Sequence, residues 1–310
     1  MAAFPNGDKK GKKLPLMNNL VEIVGLASLL AKAGISDISG NFEELYSAIH
    51  SDPNKQCLAR EMENRIFDYF LSLELPDHPT LYDHLVLSLR SKDLIATFNW
   101  DPFLFFCLQR NCERADMPRN IYLHGNVAIG YCSSCRVFGP REGYCERCGK
   151  SFERSPLLFP IKQKGYDNNP FIHSAWQTFK RNLKQAYFLT IFGYSAPTSD
   201  VDAISIVKES WGPGFKREME QVEFIDIKSE KDIIKTWKDI LCRNHYDVTD
   251  NVYNTRLAKH PRRSCESLYQ AVMRNHPYPA RPIPKKACFP ELWEWVKPLV
   301  EVEKSAGKQK

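Results

Sequence analysis

Leu94-Ile95-Ala96-Thr97-Phe98, followed by Asn99-Trp100-Asp101, is the stretch on which the fold turns. The apolar run is too short for a helix, follows a helical pattern and ends in polar residues. It therefore predicts a buried strand of a parallel sheet. Ile121-Tyr122-Leu123, Tyr187 to Phe192, and Val222 to Ile227 repeat that pattern. Between them lie helical periodicities at Phe103 to Arg110, Ala175 to Asn182 and Asp200 to Glu209. Strands alternating with helices give right-handed crossovers, hence an α/β, Rossmann-like parallel sheet with helices on both faces.

Upstream, the spacing predicts a helix from Asn19 to Lys32, one capped by Asn41 through Ile49, and one over 57–73. Thr80 is placed to cap a further helix running to about Leu89. Ligands of such sheets bind at the carboxyl ends of the strands. That rule selects Asn99, Trp100 and Asp101 after the first strand and His124, Gly125 and Asn126 after the second. Gly193, Tyr194, Ser195 and Ala196 follow the third, and Asp226 and Lys228 close the fourth. Loops are polar in any case, so it is the recurrence at one sheet edge that points to a site.

Cys132-Ser-Ser-Cys135 and Cys145-Glu-Arg-Cys148 stand nine residues apart. Each Cys-x-x-Cys turn offers two thiolates about a tetrahedral edge apart, and two such turns complete the sphere of a structural zinc. Gly139, Gly143 and Gly149 supply the bends of this ribbon. Redox chemistry by one pair is an alternative that leaves the other pair unexplained. The other cysteines show no pairing pattern.

Composition bounds the rest. The chain has 310 residues, 43% apolar and 26% charged, enough for one sizeable core, a small insert and a tail. The net charge of +6 comes partly from terminal lysines, among them Lys9, Lys10, Lys12, Lys13, Lys304, Lys308 and Lys310. Solvated ends explain it better than a nucleic-acid partner does. No apolar run reaches the roughly 18 residues of a membrane span. The stretch Val21 to Ala33 is broken by Glu22, Ser28 and Lys32 and does not form a signal peptide. Ten cysteines are too few for a disulfide scaffold, and the paired ones suit a reducing compartment, so a cytoplasmic location is expected.

Several of these features together resemble the sirtuins. Thr97-Phe98-Asn99-Trp100-Asp101 is similar to the strand-ending Thr-Gln-Asn-Ile-Asp of that family. Leu123-His124-Gly125 resembles its His-Gly motif, with the ribbon beginning eight residues after the histidine. Phe192-Gly193-Tyr194-Ser195 resembles its Gly-Thr-Ser turn, and Phe224-Ile225-Asp226 its late strand. The likeness spans roughly residues 80–230 as ordered motifs, and the wording around Asn99 is closer to divergent bacterial sirtuin-like proteins. Several of those hydrolyse NAD in antiphage defence. The resemblance implies NAD as substrate or ligand and zinc as structural metal. It also implies catalytic roles for Asn99 and His124. Asn99 would position the attacking group, and His124 would act as general base through a ribose hydroxyl. Trp100, Asp101, Gly193, Ser195 and Asp226 would bind the cofactor, with Asp101 on the nicotinamide carboxamide. One departure is plain: sirtuins open with a strand and a glycine-rich phosphate cradle, which Ala2-Ala3-Phe4-Pro5-Asn6-Gly7 would follow but which this sequence does not contain.

The expected organisation is a split NAD-binding domain over 1–130 and 155–245, a zinc-ribbon insert over 131–154, and a Pro/Arg-rich tail over 246–310. From about Arg262 onward the tail is expected to pack against the domain and to be dispensable for the zinc site and the NAD pocket. The expected function is an NAD hydrolase cleaving the nicotinamide–ribose bond. The alternatives are an NAD-dependent protein deacylase, which as a transferase would act on an acyl-lysine peptide, or an inactive NAD or ADP-ribose-binding or protein-interaction module.

Overall fold

The structure is a computed structural model that describes residues 4–35, 41–160, 166, 169–194, 196, 200–217, 219–242 and 245–307. Helices α1 (Leu20–Ile23), α2 (Ala27–Lys32), α3 (Phe42–Ser51), α4 (Gln56–Leu71) and α5 (Leu81–Leu87) precede the first strand, β1 (Leu94–Thr97). Then come α6 (Phe103–Asn111), β2 (Arg119–Tyr122), β3 (Ile129–Cys132), β4 (Val137–Pro140) and β5 (Glu153–Arg154). The order continues with α7 (Pro170–Gln185), β6 (Phe188–Phe192), α8 (Val201–Trp211), β7 (Gln221–Ile225) and α9 (Glu230–Trp237). β8 (Tyr246–Thr249), α10 (Arg256–Lys259), α11 (Ser264–Val272) and α12 (Phe289–Gly307) complete it.

Local chemistry sets several of these boundaries. Thr80 and Asp83 form a reciprocal capping box that starts α5. The helix expected from Asn19 to Lys32 is broken into α1 and α2 at Gly25, whose φ of 74° lies outside helical space. Apolar faces of α1 to α4 meet around Leu26, Leu30, Met62 and Ile66, all buried, and form a helical core beside the sheet.

The α/β class is as expected, with parallel strands and crossover helices, but the strands form two sheets. β1 pairs in parallel with β2, Thr97 opposite Tyr122. β6, β7 and β8 form a separate parallel sheet, Phe192 opposite Ile225 and Ile225 opposite Thr249. Among the described residues no strand joins the two. Every residue of β1 and of β6 is partly exposed, whereas every residue of β7 is buried. An open face would expose alternate residues; exposure at every position marks an open edge. Side chains tie the halves together instead. Phe98, just past β1, stacks on Tyr194, just past β6, with centroids 4.4 Å apart and planes at 9°. Leu81 of α5 packs with Phe192, Ile225 and Val252.

Of residues 246–310, those described fold as a strand and helices rather than as an extended tail. β8 is the third strand of its sheet. Leu292, Val296 and Val300 of α12 are buried in the same core as Leu123 and Trp176. Trp293 donates through Nε1 to Asn111 Oδ1 at 3.0 Å. Arg262, wholly buried, forks onto both oxygens of Glu303 at 2.7 Å and also donates to the Leu89 carbonyl at 2.6 Å. The arginines that gave the segment its tail-like composition include the residue that fastens α12 to the domain.

Candidate functional site

Parallel register brings the sequence-selected residues to one edge. The Leu123 N–H donates to the Thr97 carbonyl at 2.9 Å, extending the β1–β2 ladder to the point where both chains turn polar. Asn99 and His124 leave the sheet side by side at its carboxyl end, and the Phe98 ring meets the His124 ring edge-on at 4.8 Å. His124 is 6% exposed. Its carbonyl accepts from Leu158 N–H, and the preceding Leu123 carbonyl accepts from Trp176 Nε1 at 3.1 Å. Gly125 is required here: its φ is 82°, and a Cβ would lie 1.7 Å from the Pro156 carbonyl oxygen.

Asn99 is exposed, and its side-chain amide donates to the Tyr82 hydroxyl at 2.9 Å. Burial, with the Asp101 carboxylate close by, raises the Tyr82 pKa well above the phenolic range. Asp101 is turned inward, its Oδ1 accepting from Phe103 N–H at 3.1 Å at the start of α6. Burial brings its carboxyl up to about 6. Asn126, fully buried, donates to the carbonyls of Asp101 at 2.6 Å and Asn99 at 3.4 Å, and accepts from Ala128 N–H. It is the clamp that fixes the Asn99–Asp101 turn against the His124–Gly125 turn. Its place after the second strand was legible; this role was not, and nothing in the sequence marked Tyr82.

Trp100 is a correction. Its ring lies in the helical core against Phe159 at 4.8 Å and Phe70 at 5.8 Å, and it is 5% exposed. A side chain packed there does not line the crevice, and apolar burial rather than ligand contact explains it. Gly193 ends β6 with φ 61° and donates to the Ile225 carbonyl. Asp226 is half-buried and accepts from Lys228 N–H at 3.0 Å, and a small cleft at the ends of β6 and β7 brings Tyr194, Asp226, Lys228 and Trp237 together. Ser195 lies outside the described residues.

The cysteines converge. The sulfurs of Cys132, Cys135, Cys145 and Cys148 all lie within 4.8 Å of one another. Four thiolates at about 2.3 Å from one zinc stand roughly 3.8 Å apart, so the donor set fits that ion. The two knuckles are built alike: Arg136 N–H returns to the Cys132 carbonyl and Gly149 N–H to the Cys145 carbonyl. Both closing residues have positive φ, 56° and 70°. Burial raises the Cys145 thiol pKa, but the backbone N–H groups of Cys148 and Arg147 outweigh it and favour the thiolate. All four donors are protein sulfur, so the ion would brace the antiparallel sheet β4-β3-β5.

No protein-family model matches the chain, and no curated protein matches it. Among solved structures it is similar, over 80% of its length, to a Sir2 homolog crystallised with NAD, at 15% identity, 87% of that chain and a TM-score of 0.34. A Sir2 complex with an inhibitor, 2'-O-acetyl-ADP-ribose and a deacetylated p53 peptide gives 15% identity, with 80% and 90% of the two chains covered and a TM-score of 0.34. A structure described as the structural basis for sirtuin substrate affinity gives 17%, 77% and 89% coverage, and 0.35. The superpositions are loose and carry no residue of the site across.

Proposed function

We propose that the chain is a sirtuin-like NAD-consuming enzyme that hydrolyses the nicotinamide–ribose bond, with Asn99 and His124 as its catalytic residues. The observation that carries this is the in-register exit of both residues from β1 and β2, clamped together by Asn126. In the reaction the bond from C1' to the pyridinium nitrogen breaks and nicotinamide leaves with the electron pair. Water oxygen bonds to C1', and the proton it loses is taken up by base. The carbon passes through an oxocarbenium-like state, as in other glycosyl cleavages. Asn99, held by Tyr82, orients the attacking group, while His124 takes the proton through a ribose hydroxyl. Gly193 lets the backbone approach the dinucleotide, and Asp226 and Ser195 complete the binding set. Asp101 is the carboxamide partner, its pKa of about 6 leaving part of the population able to donate as well as accept near neutral pH. Zinc, on the four cysteines, is structural.

Two observations keep the alternatives specific. An apolar cavity of about 50 Å³ between the ribbon and α7, lined by Tyr131, Phe138, Phe171 and Ala175, is where an acyl-lysine peptide would enter a deacylase. The open edges of β1 and β6 favour an inactive binding module, because no phosphate cradle lies between them among the described residues. Incubation with NAD, with and without an acetylated peptide, separates the three. Nicotinamide release without peptide supports hydrolysis, and peptide-dependent release supports deacylation. Binding without release supports the module, and neither binding nor release, even in a chain extended at its amino end by a strand and glycine-rich loop, refutes the NAD reading.

A further inference from the structure

The segment between α11 and α12 is rich in proline and carries charge of one sign. No acidic residue stands between Glu266 and Glu291, while Arg274, Arg281, Lys285 and Lys286 accompany Pro277, Pro279, Pro282 and Pro284. From His276 to Pro284 every residue except Ala280 is a proline or precedes one. A proline ring fixes φ, and the residue before it is pushed to extended or polyproline-II backbone. Accordingly, residues 277–284 form neither helix, strand nor turn. A polyproline-II strap has three residues per turn, so every third side chain shares a face. Two of its three rows are turned to the domain. On one, the Tyr278 ring meets His260 at 6.4 Å, and Arg281 donates to the Trp295 carbonyl of α12 at 3.3 Å. On another, Ile283 is buried. The backbone is pinned as well: Arg281 N–H donates to the Lys259 carbonyl at 3.1 Å and Ile283 N–H to the Ala258 carbonyl at 3.0 Å. The remaining row, His276, Pro279 and Pro282, is exposed at each position, as are Arg274 and Lys286 at its ends.

We propose that the strap over residues 276–284 is a docking segment for a partner protein whose groove is lined with aromatic side chains and rimmed with acids. Pro279 and Pro282, three residues apart on one ridge, seat on the aromatic rings, as such prolines do in grooves that read polyproline-II segments. Arg274 and Lys286 meet the acidic rim, which sets the partner's charge. Because the domain already holds the strap extended, binding has little chain left to order, which favours affinity. None of the crevice residues takes part, so this surface stands independently of the NAD reading.

The test uses the full chain, measured by biolayer interferometry against immobilised SH3 and WW domains chosen for acidic residues beside the aromatic groove. At least one domain should bind the chain, and a soluble polyproline peptide should displace it. Pro279→Ala with Pro282→Ala should weaken that binding about tenfold or more, the scale of a lost anchor contact. Lys286→Glu leaves every proline in place and should weaken it too, most at low salt. Ala280→Ser, on another row, should bind as the parent does. The proline pair should melt within about 4 °C of the parent, since each exposed proline contributes about 1 kcal/mol or less. Should the pair melt lower than that, Lys286→Glu decides in its place. If no domain binds the parent, or if the folded variants bind as tightly as the parent, the docking segment is overturned. Capture of the chain by heparin alone, lost with salt and indifferent to the prolines, would also overturn it and make the strap a polyanion site.

Discussion

Glu303→Gln tests the anchoring of the C-terminal helix in a single atom exchange. Glu303 accepts from Arg262 through both oxygens and from Arg263 Nη1 at 3.0 Å. The Arg262 side chain is 0% exposed and the Glu303 side chain 17%. Glutamine preserves shape but leaves a buried guanidinium without a counter-charge and turns one acceptor into a donor facing it. Removing one partner of a buried pair costs about 3–5 kcal/mol, and the partial exposure of Glu303 places this case near 3. At about 2 °C per kcal/mol for a chain of this size, the melting temperature should fall by roughly 6 °C. Thermal melts followed by far-UV circular dichroism, with urea titrations at constant m, would measure it. A melting temperature within about 1 °C of the parent would refute the anchoring argument and return α12 to the status of a loose tail. The double replacement Arg262→Met with Glu303→Leu should recover part of the loss, since the fully buried guanidinium is then gone, but not all of it, because Arg263 still loses its acceptor.

Cys145→Ala should abolish stoichiometric zinc and lower thermal stability, because a structural metal's binding free energy is part of folding; metal analysis showing unchanged zinc would exclude the site. In a form that releases nicotinamide, His124→Ala and Asn99→Ala should each reduce that rate by about a hundredfold or more with zinc retained, and a fully active His124→Ala would remove the proposed mechanism. Glu223 on β7 is 1% exposed, its Oε1 accepts from Arg256 N–H, and burial brings its carboxyl up to about 7. A carboxyl whose pKa is raised in the folded state holds its proton longer there than in the unfolded chain. It therefore removes stability as pH rises from 4.5 through about 7. Glu223→Gln should flatten that decline and melt higher than the parent at pH 8; an unchanged pH profile would show that the carboxylate is compensated in place.

Much of the sheet was legible because its strands read as unbroken apolar runs, although only β7 is buried throughout. The run from Leu94 became β1 one residue shorter, and Tyr187 to Phe192 became β6 with the same C-terminal residue. Asn41 and Thr80 cap where their side chains predicted, since capping is a local interaction written in adjacent residues. β8 was missed because Tyr246-Asp247-Val248-Thr249 is short and mixed in polarity; its parallel pairing with Val222 to Ile225 is a long-range fact. α12 lies in a segment whose composition reads as a tail, and its burial depends on an arginine that composition counts as a surface residue. At the site, residue types located Asn99 and His124 through the strand-end rule, but Trp100 beside them turned the other way. A strand end does not specify which neighbour faces a crevice and which fills a core.

The two half-sheets have a consequence for how the molecule comes apart. Within a sheet, backbone ladders make neighbouring strands open together, and cooperativity spreads along them. Here no ladder crosses from β1 to β6 among the described residues, and side chains do the coupling: the Phe98–Tyr194 stack, the Leu81 cluster, and the core in which Ala203 of α8 joins Ile121 and Leu123. Amide exchange in the β1–β2 half is therefore expected to couple to that in the β6–β7–β8 half through side-chain packing alone, so that a ligand lodged across both carboxyl ends would raise protection in the two halves together.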